Sequence, residues 1–284
     1  MRGATPRTCR GAGSTHTSRS PIAGRSPAIS PADLPVRRFP GADGADLAYR
    51  ELGQGRPLVL IHGLFSNGWT NWVRYGHAAR LADAGHRVIL PDLRGHGESA
   101  APHDPAAYPP DILAADGEAL VRHLGLSDYD LGGYSLGGRT VARMLVRGSR
   151  PARAMVGGMG LDGLLDVHRR AAFFRGVLTG RGAHRQGSPA WLAEAFLKTT
   201  GGDPLAMLPL LDSFVDSTHG ELAGIAVPTL VLAGVADDDN GSAAALADLL
   251  AGGRLAEVPG NHMTAVLQPE LGQAMADFFV VNGA

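Results

Sequence analysis

The sequence has 284 residues, of which 44% are hydrophobic and 19% are charged, and its formal net charge is −1. This length suits one large α/β domain or two small ones, and the near-neutral charge argues against binding to nucleic acid or to an anionic membrane. No apolar stretch approaches the roughly 20 residues that cross a bilayer. The single cysteine, Cys9, excludes an internal disulfide. We expect a soluble, cytoplasmic protein.

The first 35 residues differ in composition from the rest of the chain. They are rich in Ser, Thr, Gly, Pro and Arg and have no acidic residue before Asp33. Their few apolar residues cannot offset the entropy lost on ordering, so we predict a disordered extension over residues 1–35. The acid-poor, Arg- and Ser-rich composition also fits a targeting segment, although no continuous apolar run indicates a secretory signal. The choice between a targeting segment and a loose extension stays open.

From Val36 onward, short apolar stretches alternate with stretches of helical spacing. The sequence predicts strands at residues 46–52, 57–61, 86–90, 129–134, 152–159, 227–234 and 254–258. It predicts helices at residues 69–84, 111–124, 136–147, 242–250 and 269–281. This alternation indicates an α/β fold with a mostly parallel central sheet and helices on both faces.

One long segment interrupts the alternation. No convincing strand pattern occurs over residues 161–222, where helical stretches carry several aromatic side chains. An insertion at the carboxyl ends of the strands of an open α/β sheet lies where such folds bind ligands. We therefore predict a helical lid over residues 161–222, inserted into a core that comprises residues 36–160 and 223–284. In an alternative interpretation, these aromatic residues only seat a structural helical subdomain.

A candidate nucleophile lies between a predicted strand and a predicted helix. The sequence Gly133-Tyr134-Ser135-Leu136-Gly137 fits the pattern G-x-S-x-G. In this arrangement the serine occupies a tight, strained turn that exposes its Oγ, and the flanking glycines leave room for the turn. The pattern alone is weak, but its position after an apolar strand and before a helix favours Ser135 as a nucleophile.

A nucleophilic serine needs a base, and the base needs a group that orients it. His262 follows the last predicted strand, and Asp237 follows the strand before it, so the chain order is Ser, Asp, His. Asp162, after the preceding strand, is the alternative acid, and the neighbours Asp238 and Asp239 stay open as well. We expect Ser135, Asp237 and His262 to form a catalytic triad.

The negative charge that develops on the attacked carbonyl oxygen needs backbone N–H donors. Leu136 follows the nucleophile at the start of a helix and is expected to supply one donor. Leu64, in the loop after the strand at 57–61, is expected to supply the other, with the Phe65 N–H as a weaker alternative. His62 is expected to shape this loop through a hydrogen bond.

Together these motifs resemble the α/β-hydrolase superfamily, over residues 36 to the C-terminal end. The motifs that carry the resemblance are His62-Gly63, the stretch from Asp92 to Ser99, Gly133 to Gly138, Gly234 to Asp237, and Gly260 to His262. The resemblance implies the triad and oxyanion donors given above, and it implies that Arg94 and His96 belong to a structural loop. Haloalkane dehalogenases and epoxide hydrolases of this superfamily carry Asp at the position of Ser135, which argues against those two activities.

The predicted activity is hydrolysis of an ester-like bond in a small, largely apolar substrate, as in a carboxylesterase. Apolar residues near the motifs and in the predicted lid are the candidates for the substrate pocket: Phe65, Trp69, Met159, Phe173 and Trp191. Nothing in the sequence requires a metal or an organic cofactor, and a small-molecule substrate is the one partner expected. The same triad could serve carbon–carbon bond hydrolysis, a lyase reaction or perhydrolysis, and a ligand-binding receptor with little turnover is a further alternative.

Overall fold

The computed structural model describes Ser30 and residues 33–280. The predicted extension over residues 1–35 lies almost wholly outside the described residues and stays a prediction. The strands are β1 (Arg37–Pro40), β2 (Asp46–Leu52), β3 (Arg56–Ile61), β4 (His86–Pro91), β5 (Asp130–Tyr134), β6 (Arg153–Gly157), β7 (Thr229–Gly234) and β8 (Gly253–Val258). The α-helices are α1 (His77–Asp83), α2 (Ile112–His123), α3 (Leu136–Val146), α4 (Leu161–Leu165), α5 (Val167–Thr179), α6 (Pro189–Thr200), α7 (Pro204–Leu210), α8 (His219–Ala223), α9 (Ala243–Leu249) and α10 (Pro269–Phe278).

The strands form one sheet in the order β1-β2-β4-β3-β5-β6-β7-β8. The pairs β1–β2 and β2–β4 are antiparallel, and the remaining pairs are parallel. Every residue of β5 and β7 is buried, which is typical of parallel strands covered on both faces. The predicted α/β fold with a mostly parallel sheet is confirmed.

The two faces of the sheet pack against different helices because successive side chains of a strand point to opposite sides. In β3, Val59 and Ile61 join an apolar layer with residues of α2, α3 and α9. The alternate residues Leu58 and Leu60 join a second layer with residues of α1 and α10. At about 25 cal/mol per Å² of apolar surface removed from water, these two layers supply the main driving force for folding.

One sequence prediction of secondary structure was wrong, and one strand was missed. The helix predicted at residues 69–84 is interrupted: a π-helical turn occupies Trp69–Val73, and α1 begins only at His77. Gly76 lies between them with a φ of 83°, a left-handed conformation that ends a helix and that glycine adopts without steric cost. Strand β1 was not predicted, because only Phe39 of its four residues is buried and no apolar pattern marks it.

Helices α4 to α8 lie between β6 and β7, and no strand is described within residues 161–223. We call these residues the helical segment. Its apolar side chains form a third buried cluster with Phe65, which lies in the loop after β3. The helical segment coincides with the predicted lid, and its role as a lid stays a prediction. In the part of the chain that the structure describes, no helix is long and apolar enough to cross a membrane.

Candidate active site

Ser135 occupies a strained turn between β5 and α3. Its φ is 56° and its ψ is −116°, a conformation that residues with a Cβ rarely adopt. The turn is tight: a Cβ on Gly133 would lie 2.3 Å from the Gly137 carbonyl carbon, and one on Gly137 would lie 2.1 Å from the Ile61 oxygen. Only glycine fits at both positions. The turn therefore holds the Ser135 side chain at the carboxyl edge of the sheet.

His262 lies in the loop after β8 and contacts Ser135 directly. Its Nε2 is 2.9 Å from the Ser135 Oγ, and its Nδ1 is 3.0 Å from the Asp237 Oδ2. Because the carboxylate is an acceptor, the Nδ1–H donates to it, and Nε2 is free to accept the Ser135 proton. The Tyr134 hydroxyl donates to the His262 carbonyl oxygen at 2.8 Å, and this bond fixes the backbone of the loop at His262. The His262 side chain is 9% exposed.

Asp237 lies in the loop after β7, and its side chain is 4% exposed. The Asp239 N–H donates to the second carboxylate oxygen of Asp237 at 3.3 Å, and the Ala236 N–H donates to the Gly260 carbonyl at 3.0 Å. The first bond lies within the loop that carries the acid, and the second joins this loop to the one that carries His262. Asp162, the alternative acid, is exposed in the first turn of α4. The structure therefore brings Asp237, rather than Asp162, to hydrogen-bond distance of His262.

The loop after β3 passes beside Ser135. The Gly63 N–H donates to the Asn71 Oδ1 at 3.1 Å, and the Phe65 N–H donates to the His96 Nε2 at 3.3 Å. The Leu64 N–H, between them, has no hydrogen-bond partner among the described residues. The Leu136 N–H is equally unpartnered there, as expected in the first turn of a helix. Leu64 and Leu136 thus present unused backbone donors next to Ser135, whereas the Phe65 N–H is engaged.

Two buried histidines shape this loop. The Leu93 N–H donates to the His62 Nε2 at 2.9 Å, and the His62 Nδ1–H donates to the Gly63 carbonyl at 2.8 Å. Burial lowers the pKa of His62 to about 4. Burial, followed by the proximity of His62, lowers the pKa of His96 to about 3. Both rings are therefore neutral at pH 7, and each supplies one donor and one acceptor to the backbone.

Two cavities meet at Ser135. The small cavity, of about 240 Å³, extends toward the π-helical turn and the loop that follows His262. The large cavity, of about 460 Å³, extends under α5 and α6 of the helical segment. Ser135, Leu64 and His262 line both of them. A carbonyl group above Ser135 could therefore extend one substituent into each cavity.

The structure brings three of the five pocket candidates to Ser135. Phe65 and Phe173 line the large cavity. Met159 lines a recess of about 30 Å³ beside Leu136. Trp69 packs against the apolar layer around α1 and α10, and Trp191 is 36% exposed; neither is among the residues that line these cavities.

Phe174 and Phe196 belong to the aromatic residues of the predicted lid, whereas Arg170 was missed by the sequence analysis. Phe174 and Phe196 line the large cavity, together with Arg170, whose guanidinium lies 5.1 Å from the centre of the Phe174 ring. Arg170 also pairs with Asp239 at 3.0 Å. Phe173 and Phe174 are adjacent on α5, and both pack against the third apolar cluster.

The arrangement has the parts for acyl transfer: a nucleophile, a base, an acid that orients the base, and two free N–H donors. No group of three or more His, Cys, Asp or Glu side chains suited to a metal ion occurs among the described residues.

Comparison with known proteins identifies the family. Residues 56–218 match the model of the alpha/beta hydrolase fold family. The chain belongs to this family. The sheet order and the position of Ser135 after β5 agree with that assignment.

Individual relatives differ in their activities. Over 119 residues the chain is 39% identical to a non-heme haloperoxidase from Rhodococcus erythropolis, covering 40% of this chain and 41% of that protein. Over 107 residues it is 39% identical to the non-heme chloroperoxidase CPO-A1 from Kitasatospora aureofaciens, covering 37% and 36%. The matches thus span about two fifths of these curated relatives. An esterase from Exiguobacterium antarcticum superposes with a TM-score of 0.68 at 22% identity, covering 85% of this chain and 98% of that one.

Proposed function

We propose that the protein hydrolyses carboxylic esters through an acyl-enzyme on Ser135. The observation that carries this proposal is the continuous hydrogen-bonded chain from the Ser135 Oγ through His262 to Asp237, at 2.9 and 3.0 Å. An isolated serine hydroxyl is a weak nucleophile at neutral pH, and a base within hydrogen-bond distance is what activates it. The strained turn at Ser135 supports the same role, because it exposes the Oγ to a carbonyl carbon.

In the proposed mechanism the Ser135 Oγ attacks the ester carbonyl while the His262 Nε2 takes its proton. The Asp237 carboxylate stabilises the imidazolium, and the N–H groups of Leu64 and Leu136 bind the oxyanion. His262 then gives the proton to the leaving alcohol. A water molecule, deprotonated by the same nitrogen, attacks the acyl-enzyme and releases the acid. Each oxyanion donor contributes roughly 10²–10³-fold to the rate in comparable enzymes.

The cavities support a substrate that is small and largely apolar. Aromatic side chains form much of the large cavity: Phe65, Phe173, Phe174 and Phe196. Burying apolar substituents there stabilises the complex by about 0.8 kcal/mol per methylene group. Charged groups also line this cavity, at Arg170, Asp238 and Asp239, so the substrate surface near them is expected to be polar.

Perhydrolysis is a second candidate, because two relatives are named as a non-heme haloperoxidase and a non-heme chloroperoxidase. An acyl-enzyme gives a route to peroxide chemistry that needs no heme. In this reaction hydrogen peroxide replaces water and attacks the acyl-enzyme. The Ser135–acyl bond breaks, a peracid is released, and the peroxide proton passes through His262. Both candidates share the acyl-enzyme and differ only in the acyl acceptor.

The test is hydrolysis of p-nitrophenyl esters from acetate to octanoate, with the wild type beside Ser135→Ala. Turnover is expected in the wild type and is expected to be lost in Ser135→Ala. The matched control is Ser127→Ala, a change at an exposed serine that lines neither cavity, which is expected to keep full activity. Folded protein without turnover on any of these esters would contradict the proposal.

Hydrogen peroxide added to the same assay separates the two candidates. A perhydrolase forms peracid, which a halide oxidation assay detects, in proportion to Ser135-dependent ester consumption. If only the free carboxylic acid accumulates, water is the acceptor and hydrolysis is the reaction.

A further inference from the structure

Phe196 lines both cavities that meet at Ser135. Four other residues are common to the two cavities: Leu64, Ser135, His262 and Met263. The first three belong to the proposed catalytic machinery, and Met263 is 50% exposed beside His262. Phe196 is therefore the one shared residue that the helical segment contributes. Its ring lies where the small cavity and the large cavity come together above the nucleophile.

The position of Phe196 is fixed from both ends of α6. The Ser188 Oγ caps the helix by accepting from the Trp191 N–H at 3.2 Å, and Leu197 is 3% exposed in the third apolar cluster. One turn after Phe196, the Thr200 hydroxyl donates to the Phe65 carbonyl at 2.6 Å. That bond ties the end of α6 to the loop that carries the Leu64 N–H. The backbone of α6 at Phe196 is thus anchored next to the loop that carries the oxyanion donor.

We infer that Phe196 divides the site into two compartments and so selects esters whose two substituents differ in size. This inference rests on the proposed esterase function. The compact substituent lies in the small cavity of about 240 Å³, and the bulky apolar substituent lies in the large cavity of about 460 Å³. The aromatic ring blocks a long chain from crossing between them. Because an interior wall does not yield to an extra methylene without strain, a misfit in either cavity lowers kcat/KM by roughly 10–200-fold.

Two series of substrates test the division. The first varies the acyl group of p-nitrophenyl esters from acetate to dodecanoate. The second varies the alcohol of acetate esters from ethanol to octanol, followed by acid release. In the wild type one series is expected to lose kcat/KM at a shorter chain length than the other, because the two cavities differ about twofold in volume.

Phe196→Ala is expected to relax both series, meaning that kcat/KM falls less steeply as the chain becomes longer. It raises the ratio of kcat/KM for the longest member to that for the shortest about tenfold in each, because the two cavities then merge. Phe196→Leu keeps more of the packing of α6 and is expected to give a smaller change in the same direction in both series. A melting temperature for each variant shows that it is folded.

Two matched variants each open one cavity only. Leu267→Ala enlarges the small cavity, and Phe173→Ala enlarges the large one. Each is expected to relax one series, and a different one. The inference is overturned if Phe196→Ala and Phe196→Leu relax one series or neither, or if Leu267→Ala and Phe173→Ala relax the same series.

The outcome for p-nitrophenyl acetate separates this inference from the proposed function. If folded wild-type protein does not hydrolyse it in a Ser135-dependent way, the proposed function fails and the inference fails with it. If Ser135-dependent hydrolysis is present and the chain-length profiles of the Phe196 variants match the wild type, only the inference fails.

Discussion

The strand ends that hold the triad and the helical segment above them are stabilised by different interactions. At the strand ends, polar groups are fixed by hydrogen bonds between loops, as where the Tyr134 hydroxyl binds the His262 carbonyl. In the helical segment, apolar side chains such as Leu197 and Met207 pack into the third cluster. Hydrogen bonds are directional, whereas apolar packing mainly specifies volume. Under the proposed function, the strand ends therefore set the chemistry, and the helical segment sets which substrate shapes fit.

This difference predicts that changes at the strand ends abolish turnover whatever the substrate. Asp237→Asn is expected to lower kcat by about 10⁴-fold, because the amide favours the wrong tautomer of His262 and does not stabilise its charged form. The measurement is kcat on p-nitrophenyl acetate. Asp162→Asn is the matched control and is expected to stay within twofold of wild type. Activity lost in Asp162→Asn and kept in Asp237→Asn would assign the acid to Asp162.

The turn at Ser135 is expected to tolerate no added atoms. In Gly137→Ala the new Cβ would lie 2.1 Å from the Ile61 carbonyl oxygen, so α3 must move away from β3. We expect a loss of roughly 3 kcal/mol in the free energy of unfolding, together with loss of turnover. Urea unfolding measures this loss.

Gly176→Ala provides the control in the helical segment. Gly176 is an exposed residue inside α5, and a Cβ there would meet nothing within 4 Å. Alanine is expected to stabilise this helix by about 1 kcal/mol. If Gly137→Ala is as stable as Gly176→Ala, the turn is not as tight as the structure shows.

The buried histidines His62 and His96 make the free energy of unfolding depend on pH. The folded-state pKa of His62 is about 4 and that of His96 is about 3, because both are buried. Below their unfolded pKa of about 6.5, the unfolded chain binds protons that the folded protein does not bind, so stability is lost as the pH falls from about 6.5 toward 4. Between pH 7 and 5.5 each histidine is expected to remove about 1 kcal/mol.

The measurement is the free energy of unfolding at pH 7, 6.5, 6 and 5.5. Burial also lowers the pKa of His77 and of His86, so these residues add to the same slope. In His96→Gln the slope of the free energy of unfolding against pH is expected to decrease by the equivalent of about one bound proton. A free energy of unfolding that does not change between pH 7 and 5.5 would contradict the burial of these neutral rings.

The smallest expected effect concerns the link between the two regions. Arg170 of α5 pairs with Asp239, whose N–H donates to the carboxylate of Asp237. Because the pair is partly exposed, we expect Arg170→Gln and Asp239→Asn each to lower kcat/KM only about threefold, and the double variant to be no worse than either. Arg175→Gln, which breaks an exposed pair with Asp212, is the control without effect. Effects that multiply in the double variant would show that the pair does not act as a unit.

Most of the core could be predicted from the sequence, because its signals are local. Buried parallel strands such as β7 are continuous apolar stretches, and glycine ends many of the helices. Each of the three triad candidates, Ser135, Asp237 and His262, follows a predicted strand. Because parallel strands end at the same edge of a sheet, the sequence could predict that these residues lie close together. The break at Gly76 was not predicted, because a single glycine inside a helical pattern is often tolerated.

The inner surface of the helical segment could not be predicted in the same way. Which face of α5 or α6 points toward Ser135 depends on how the helices pack, and no periodic pattern distinguishes Phe173 or Phe196 from Trp191. Trp191 is large and apolar but partly exposed, whereas Phe196 lines both cavities. Tertiary contacts decide which of these side chains face the cavities. For this reason two of the five predicted pocket residues, Trp69 and Trp191, do not line them.

The position of His262 after β8 has a consequence for when the protein becomes active. β8 pairs only with β7 in the sheet order, and His262 lies 127 positions after Ser135 in the sequence. Ser135 and its elbow can form while the chain is still being synthesised, because β3, β5 and β6 all precede the helical segment. The hydroxyl then lacks its base until β8 has been added to the sheet. In the proposed mechanism, activity therefore requires the last strand, and a chain that has not yet reached β8 carries Ser135 without its base.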